Sequence, residues 1–309
     1  METTMKALVR TADALGVREG YPIPRPVAGQ VLVKVMAFCL GRPELDGDYT
    51  GGDEGRIVGS GVAGRIVAVG EDVPAWRLGD IVIVDPGLGR REGSSGLMGI
   101  DRDGGAADYL VASALDACAV TAELPINILP LLSSHYSLGE RVLTWARLYS
   151  GETMLVLGAN EGAGPAAVEL AVARHATVHA VAEDWAHNAL VALGAKHVEK
   201  SLADLGQFKT NVIADFRTAG GWRDCSALLG QDGIYVSSKG DIARNSAPAI
   251  SALDEPDIFT METLEHLARM AEHGKLVPKP AKVVEFCSIM HDTSEIVSKQ
   301  QLGPTVVIM

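Results

Sequence analysis

From Thr153 onward one pattern repeats: a short apolar run, a turn rich in glycine, a helix-forming stretch, then another apolar run. Residues 153–157 (TMLVL) read as a buried strand ending in a glycine loop. Residues 165–175 read as a helix with proline in its first turn, where a missing N–H costs nothing. Residues 177–182 are the next strand, and 185–193 a helix stopped by Gly194. A strand at 211–215, a helix at 222–229 ended by Gly230, and a strand at 233–237 follow. Apolar strands alternating with helices predict a parallel sheet covered on both faces. Further on, 260–273 reads as a helix ending at Gly274, 291–299 as a helix, and 304–309 as a strand.

The first 124 residues have a different texture, with strands and turns but no helical period. Residues 30–38 (QVLVKVMAF), 65–69 and 80–84 are rich in β-branched residues, and glycine-rich loops at 47–61 and 87–105 separate them. This predicts a barrel-like all-β region. A chain of 309 residues exceeds what one core usually serves, so two domains are expected. They are set at 1–124, completed by 276–309, and at 125–275.

The net charge of −12 argues against a nucleic-acid or anionic-membrane surface, since both need clustered Lys and Arg. Arg90-Arg91 is the sole adjacent basic pair. No apolar run approaches the ~20 residues of a membrane span. The start, Met1 to Lys6, lacks a signal peptide's apolar stretch. The cysteines, Cys39, Cys118, Cys225 and Cys287, are scattered, with no C-x-x-C pair. A reduced, cytoplasmic setting is the expectation.

In this order the motifs resemble the medium-chain dehydrogenase/reductase superfamily, the zinc alcohol dehydrogenases and quinone reductases. The resemblance rests on 59–70 (GSGVAGRIVAVG), 78–82 (LGDIV), 101–109 (DRDGGAADY), 151–158 (GETMLVLG) and 193–195 (LGA). It implies an α/β chain: a GroES-like β-barrel domain, a Rossmann doubly wound parallel sheet, and a C-terminal return to the barrel. It also implies an active site in the cleft between domains. Homodimers through the edge of the Rossmann sheet are implied too, with 233–237 the candidate edge region.

In zinc-dependent relatives the catalytic ligands are a Cys after the third barrel strand, the His of a Gly-His-Glu signature, and a later Cys or acid. Here Cys39 matches the first, Ser60 stands in the His place, Gly61 in the Glu place, and Ser133 in the last. Catalytic zinc takes three ligands from Cys, His, Asp or Glu. No catalytic zinc is therefore expected. The 86–105 loop holds no cysteine, so no structural zinc is expected either. Cys39 also reads as a small buried core residue. Gly41 stands where the family's proton-relay hydroxyl lies. Arg42, Glu44, Tyr49, Ser60, Ser133, Ser134, His135 and Tyr136 remain as polar residues for the cleft. His135, Tyr136 or Ser133 could donate a proton. The same segment also reads as a helix N-terminus with Ser134 capping and Tyr136 packed.

The dinucleotide loop is Gly158-Ala159-Asn160-Glu161-Gly162-Ala163-Gly164. Aligned from its last glycine, the family's G-x-G-x-x-G becomes Ala159, Glu161 and Gly164. Glu161 sets a negative charge where a helix N-terminus would greet a phosphate. Two like charges ~4 Å apart at an effective dielectric near 20 repel by about 4 kcal/mol. A Glu161 turned aside, or Gly162 taking the contact, would rescue binding. A Rossmann turn that no longer holds a nucleotide is the other reading. Glu183, after the second strand, offers an acid to a ribose diol, which favours NAD(H) over NADP(H). Ser237, Ser238 and Lys239 follow a strand at the sheet's carboxyl edge, where ligands bind.

The leading functional expectation is a zinc-independent oxidoreductase passing a hydride between a nicotinamide and a small carbonyl, alcohol or activated alkene. The rival is a reductase scaffold reused for a cofactor-free isomerisation, elimination or cyclisation. A non-catalytic binding relative is a third reading, because function lives in the site and not in the fold.

Overall fold

Eleven consecutive residues, Gln30–Leu40, form the longest strand of a computed structural model that describes residues 3–12, 14–41, 55–87, 96–244, 247–251, 261–289 and 300–309. The chain forms two compact units. The first comprises Met1–Ser134, Phe259–Lys299 and Pro304–Met309; the second comprises His135–Ile258 and Gln300–Gly303.

The first unit begins with β1 (Thr4–Arg10), β2 (Leu15–Pro22), β3 (Gln30–Leu40) and β4 (Arg56–Ile57). It continues with β5 (Val62–Val69), β6 (Ile81–Val84), β7 (Tyr109–Ser113) and β8 (Ala117–Ala119). β3 anchors the larger sheet, pairing antiparallel with β5 and with β7. Two register shifts interrupt the β3–β5 ladder. Val31, Val33, Val35, Phe38, Leu40, Val62, Ile66, Val82 and Val84 form one buried core. The β-branched run read at 30–38 is therefore a strand whose side chains fill that core.

A helical stretch runs from α1 (Leu129–Leu131) through a π turn (Leu132–Tyr136) into α2 (Ser137–Trp145).

The second unit contains β9 (Thr153–Leu157), α3 (Gly164–Ala173), β10 (Thr177–Val181), α4 (His187–Ala192) and β11 (His197–Glu199). β12 (Thr210–Asp215), α5 (Trp222–Cys225), β13 (Leu229–Ser237), β14 (Asp241–Arg244) and β15 (Ala247–Ser251) complete it. The sheet order is β11-β10-β9-β12-β13-β14-β15. The first five are parallel, as the alternating pattern predicts. Tyr136 and Glu169, and Glu140 and Arg174, tie α2 to α3.

The margin of this sheet departs from expectation. β14 and β15 are antiparallel to their neighbours. Residues 233–237 are thus an inner strand, not the edge. The 222–229 helix is also shorter than expected. After α5 a 3-10 turn (Ser226–Leu228) intervenes, and Leu229 opens β13 by pairing with Thr210. In that ladder Leu229 is buried.

Beyond α6 (Met261–Glu272) the chain returns to the first unit through β16 (Lys282–Glu285), α7 (Phe286–Ile289) and β17 (Thr305–Ile308). β17 pairs antiparallel with β3, and Phe286 meets Phe38 edge-on at 6.1 Å. The expected helix at 291–299 lies outside the described residues. Among the described residues, no helix is long and apolar enough to cross a membrane.

Candidate active site

In the first unit the end of β3 and the loop before β5 run side by side. The Cys39 N–H donates to the Gly61 carbonyl at 2.7 Å, and the Ser60 N–H donates to the Cys39 carbonyl at 3.3 Å. Cys39 is fully buried. Gly61 lies hard against the α1 segment: a Cβ there would sit 2.4 Å from the Pro130 carbonyl oxygen and 2.7 Å from Ser134 Oγ. Ser133 and Ser134 are buried, and both donate to that same Pro130 carbonyl, at 3.2 and 2.9 Å. Ser134 thus bonds back along the helix and does not cap it. Cys39 and Ser60 come together, with Gly61 seated on Pro130 and Ser134. Arg42, Glu44 and Tyr49 lie outside the described residues.

Two of the proton-donor candidates belong to the second unit. The Tyr136 hydroxyl donates to Glu169 Oε2, and both residues are buried. Burial, and then the Glu169 charge, push the phenol's pKa well up. His135 is half-buried by surface, yet its ring is desolvated, which lowers its pKa to about 4. The ring is therefore neutral at pH 7. The folded pKa is below the unfolded one near 6.5, so the unfolded chain binds more protons between the two values. Stability is fully present above pH ~6.5 and declines as pH falls toward 4. Urea unfolding from pH 7 to 4 is expected to show this decline, and His135→Gln to flatten it. A slope unchanged by His135→Gln would refute the assignment.

The glycine loop joins β9 to α3. Gly162 stands at φ +46° with open space around it, a turn conformation that favours glycine. Gly164 begins α3, where a Cβ would lie 2.6 Å from the Gly158 carbonyl oxygen. The helix start is thus packed on the strand end as the dinucleotide turn requires. Ala163 is buried. Asn160 Oδ1 accepts the Glu183 N–H at 3.2 Å, linking this turn to the end of β10. Glu183 is exposed, and Trp185 Nε1 donates to its carboxylate at 2.9 Å. Lys200, far along the chain, pairs with Asp184 at 2.7 Å. The Glu161 carboxylate turns toward the loop after β12, where Thr218 N and Oγ1 donate to it at 3.1 and 3.2 Å.

On the neighbouring strand ends, Asp215 accepts four hydrogen bonds. Three come from Arg217 (backbone N, Nε and Nη2) and one from the buried Tyr235 hydroxyl at 3.0 Å. Bonding to Asp215 raises the Arg217 pKa, and burial followed by the Asp215 charge raises those of Tyr235 and Cys225, the thiol to about 12. The strand read at 211–215 ends on Asp215, whereas Arg217 and Tyr235 were missed. The spacing Asp-x-Arg at a strand end was the available signal for the first; nothing local marks the second. Ser237 exchanges hydrogen bonds with Asp241 through its hydroxyl, while the Ser238 N–H donates to the Asp215 carbonyl at 2.8 Å. Lys239 Nζ donates to the Thr218 carbonyl at 2.8 Å.

Residues 27–122 match the alcohol dehydrogenase GroES-like domain. An NAD-dependent alcohol dehydrogenase of Sulfurisphaera tokodaii is 29% identical over 179 residues, covering 50% of this chain and 51% of that protein. The chain spans about half the length of that curated relative. A candidate alcohol dehydrogenase structure from Sinorhizobium meliloti 1021 superposes with a TM-score of 0.77 at 27% identity, covering 100% of this chain and 97% of that one. A short chain alcohol dehydrogenase from E. coli CFT073, complexed with cofactor NADH, superposes with a TM-score of 0.79 at 18% identity, covering 100% of both chains. That last likeness speaks for the fold alone.

Proposed function

The chain belongs to the medium-chain dehydrogenase/reductase superfamily, and from that premise we propose a zinc-independent oxidoreductase that passes a hydride between NAD(H) and a small carbonyl, alcohol or activated alkene. The observation that carries this reading is the turn after β9. Gly162 makes the turn, Gly164 packs the helix start on Gly158, and Asn160 ties the turn to Glu183. These residues fit a dinucleotide: helix N–H groups toward a pyrophosphate, and an acid toward a ribose diol. The nicotinamide supplies the hydride when bound; the chain supplies orientation. Trp185 holds the Glu183 carboxylate in place. Lys200 is engaged by Asp184, next to Glu183, which supports NAD(H) over NADP(H).

The residues at the zinc places do not fit a catalytic zinc. One thiol and two neutral hydroxyls, Cys39, Ser60 and Ser133, are not a three-ligand set. Gly61 leaves no room for the glutamate of the zinc signature. Polarisation of a substrate oxygen then falls to hydroxyls. Ser133, Ser134 and Tyr136 already donate elsewhere, whereas the Ser60 hydroxyl has no hydrogen-bond partner among the described residues. We assign Ser60 to the substrate oxygen.

Fluorescence titration tests the reading. NADH is expected to give a saturable signal, with NADPH at least ~10-fold weaker, a difference of about 1.4 kcal/mol. Glu183→Ala is expected to remove that preference. Silence with both nucleotides would sink the reading and leave the cofactor-free isomerisation, elimination or cyclisation in its place.

A further inference from the structure

The strand order of the second unit reverses between β9 and β12, so the crevice at this switch point has the turn after β9 as one wall and the turn after β12 as the other. The two walls are bonded to each other. Glu161, on the first, accepts two hydrogen bonds from Thr218, on the second. Lys239, after β13, holds Thr218 from behind through its carbonyl. Arg217 lies against Gly158, where a Cβ on the glycine would meet the Arg217 backbone nitrogen at 2.9 Å. One carboxylate, one threonine and one ammonium thus strap three turns together across the carboxyl edge. A pyrophosphate approaching the start of α3 meets that strap and its negative charge.

We propose that Glu161 is the residue that sets the nucleotide affinity of this crevice, because a dinucleotide binds there only by breaking the Glu161–Thr218 strap. The proposal rests on the dinucleotide reading above. Two separable effects follow. The charge repels a diphosphate, and that repulsion weakens as salt screens it. The hydrogen bonds hold the walls together whatever the charge, since an amide oxygen still accepts from Thr218. Glu161→Gln therefore removes the first effect and keeps the second; Glu161→Gly removes both.

The test is calorimetric titration of the full chain with NADH, at ~0.05 and ~1 M salt. Relative to wild type, Kd is expected to fall about 10-fold in Glu161→Gln and about 100-fold in Glu161→Gly at low salt. At high salt the advantage of the glutamine variant is expected to shrink while that of the glycine variant persists in part. Glutamine is close to isosteric, so that variant carries the test alone should the glycine variant fail to fold. Wild type and Glu161→Gln binding NADH equally well at low salt would overturn the proposal and leave the oxidoreductase reading standing. No binding by wild type or either variant would overturn the dinucleotide reading and this proposal with it.

Discussion

Replacing Asp215 with alanine is expected to lower stability by about 4 kcal/mol, within the range found when one partner of a buried ion pair is removed. The side chain of Asp215 is 4% exposed and that of Arg217 19%. The deletion strands the Arg217 guanidinium, the Arg217 N–H and the Tyr235 hydroxyl together. For a protein of this size the thermal midpoint is expected to drop by ~8–16 °C. Tyr235→Phe, which removes one donor and leaves the ion pair, is expected to cost about 1 kcal/mol. Thermal and urea unfolding check both. A midpoint within 2 °C of wild type for Asp215→Ala, about 0.5–1 kcal/mol, would refute this network as a tie between β12 and β13.

Rebuilding the zinc signature is expected to fail. The double variant Ser60→His, Gly61→Glu restores the Gly-His-Glu signature of zinc-dependent relatives while Ser133 keeps the last ligand's place, and it sets a Cβ 2.4 Å from the Pro130 carbonyl oxygen. That neighbour is backbone and cannot swing away. Overpacking of this kind is expected to cost about 3 kcal/mol or more, and the single variant Gly61→Ala to lose stability in the same direction. Metal analysis of the purified double variant is expected to find far less than one zinc per chain. A double variant with wild-type stability and one bound zinc would show that the surroundings of Cys39 still suit the metal.

How far the sequence could be read varies along the chain. The parallel part of the second unit was legible because residues 153–157 and 211–215 are apolar runs too short for helices, with Gly194 at φ +103° past the end of α4. The reversal after β13 was not. Ser237-Ser238-Lys239-Gly240 reads equally as the start of a crossover or as a tight turn, and pairing of Tyr235 with Ala243 decides it. The positions of Cys39, Ser60 and Gly61 were legible through motif spacing. The direction of Glu161 was not, because its partner Thr218 lies 57 residues away. Tyr136 meets Glu169 across 33 residues for the same reason. Local pattern sets which residues are buried; it does not say which distant donor a buried or turned carboxylate will find.

A strand laid parallel to its predecessor obliges the chain to travel back, at a length of a dozen residues or more, often as a helix. The turn between β13 and β14 makes no such return: the Gly240 N–H closes on the Ser237 carbonyl at 3.0 Å and the next strand begins at once. Two outer strands are thereby gained for almost no connecting polypeptide. This flank of the sheet is consequently the place where insertions or deletions would change its width without disturbing the ladder between β9 and β12.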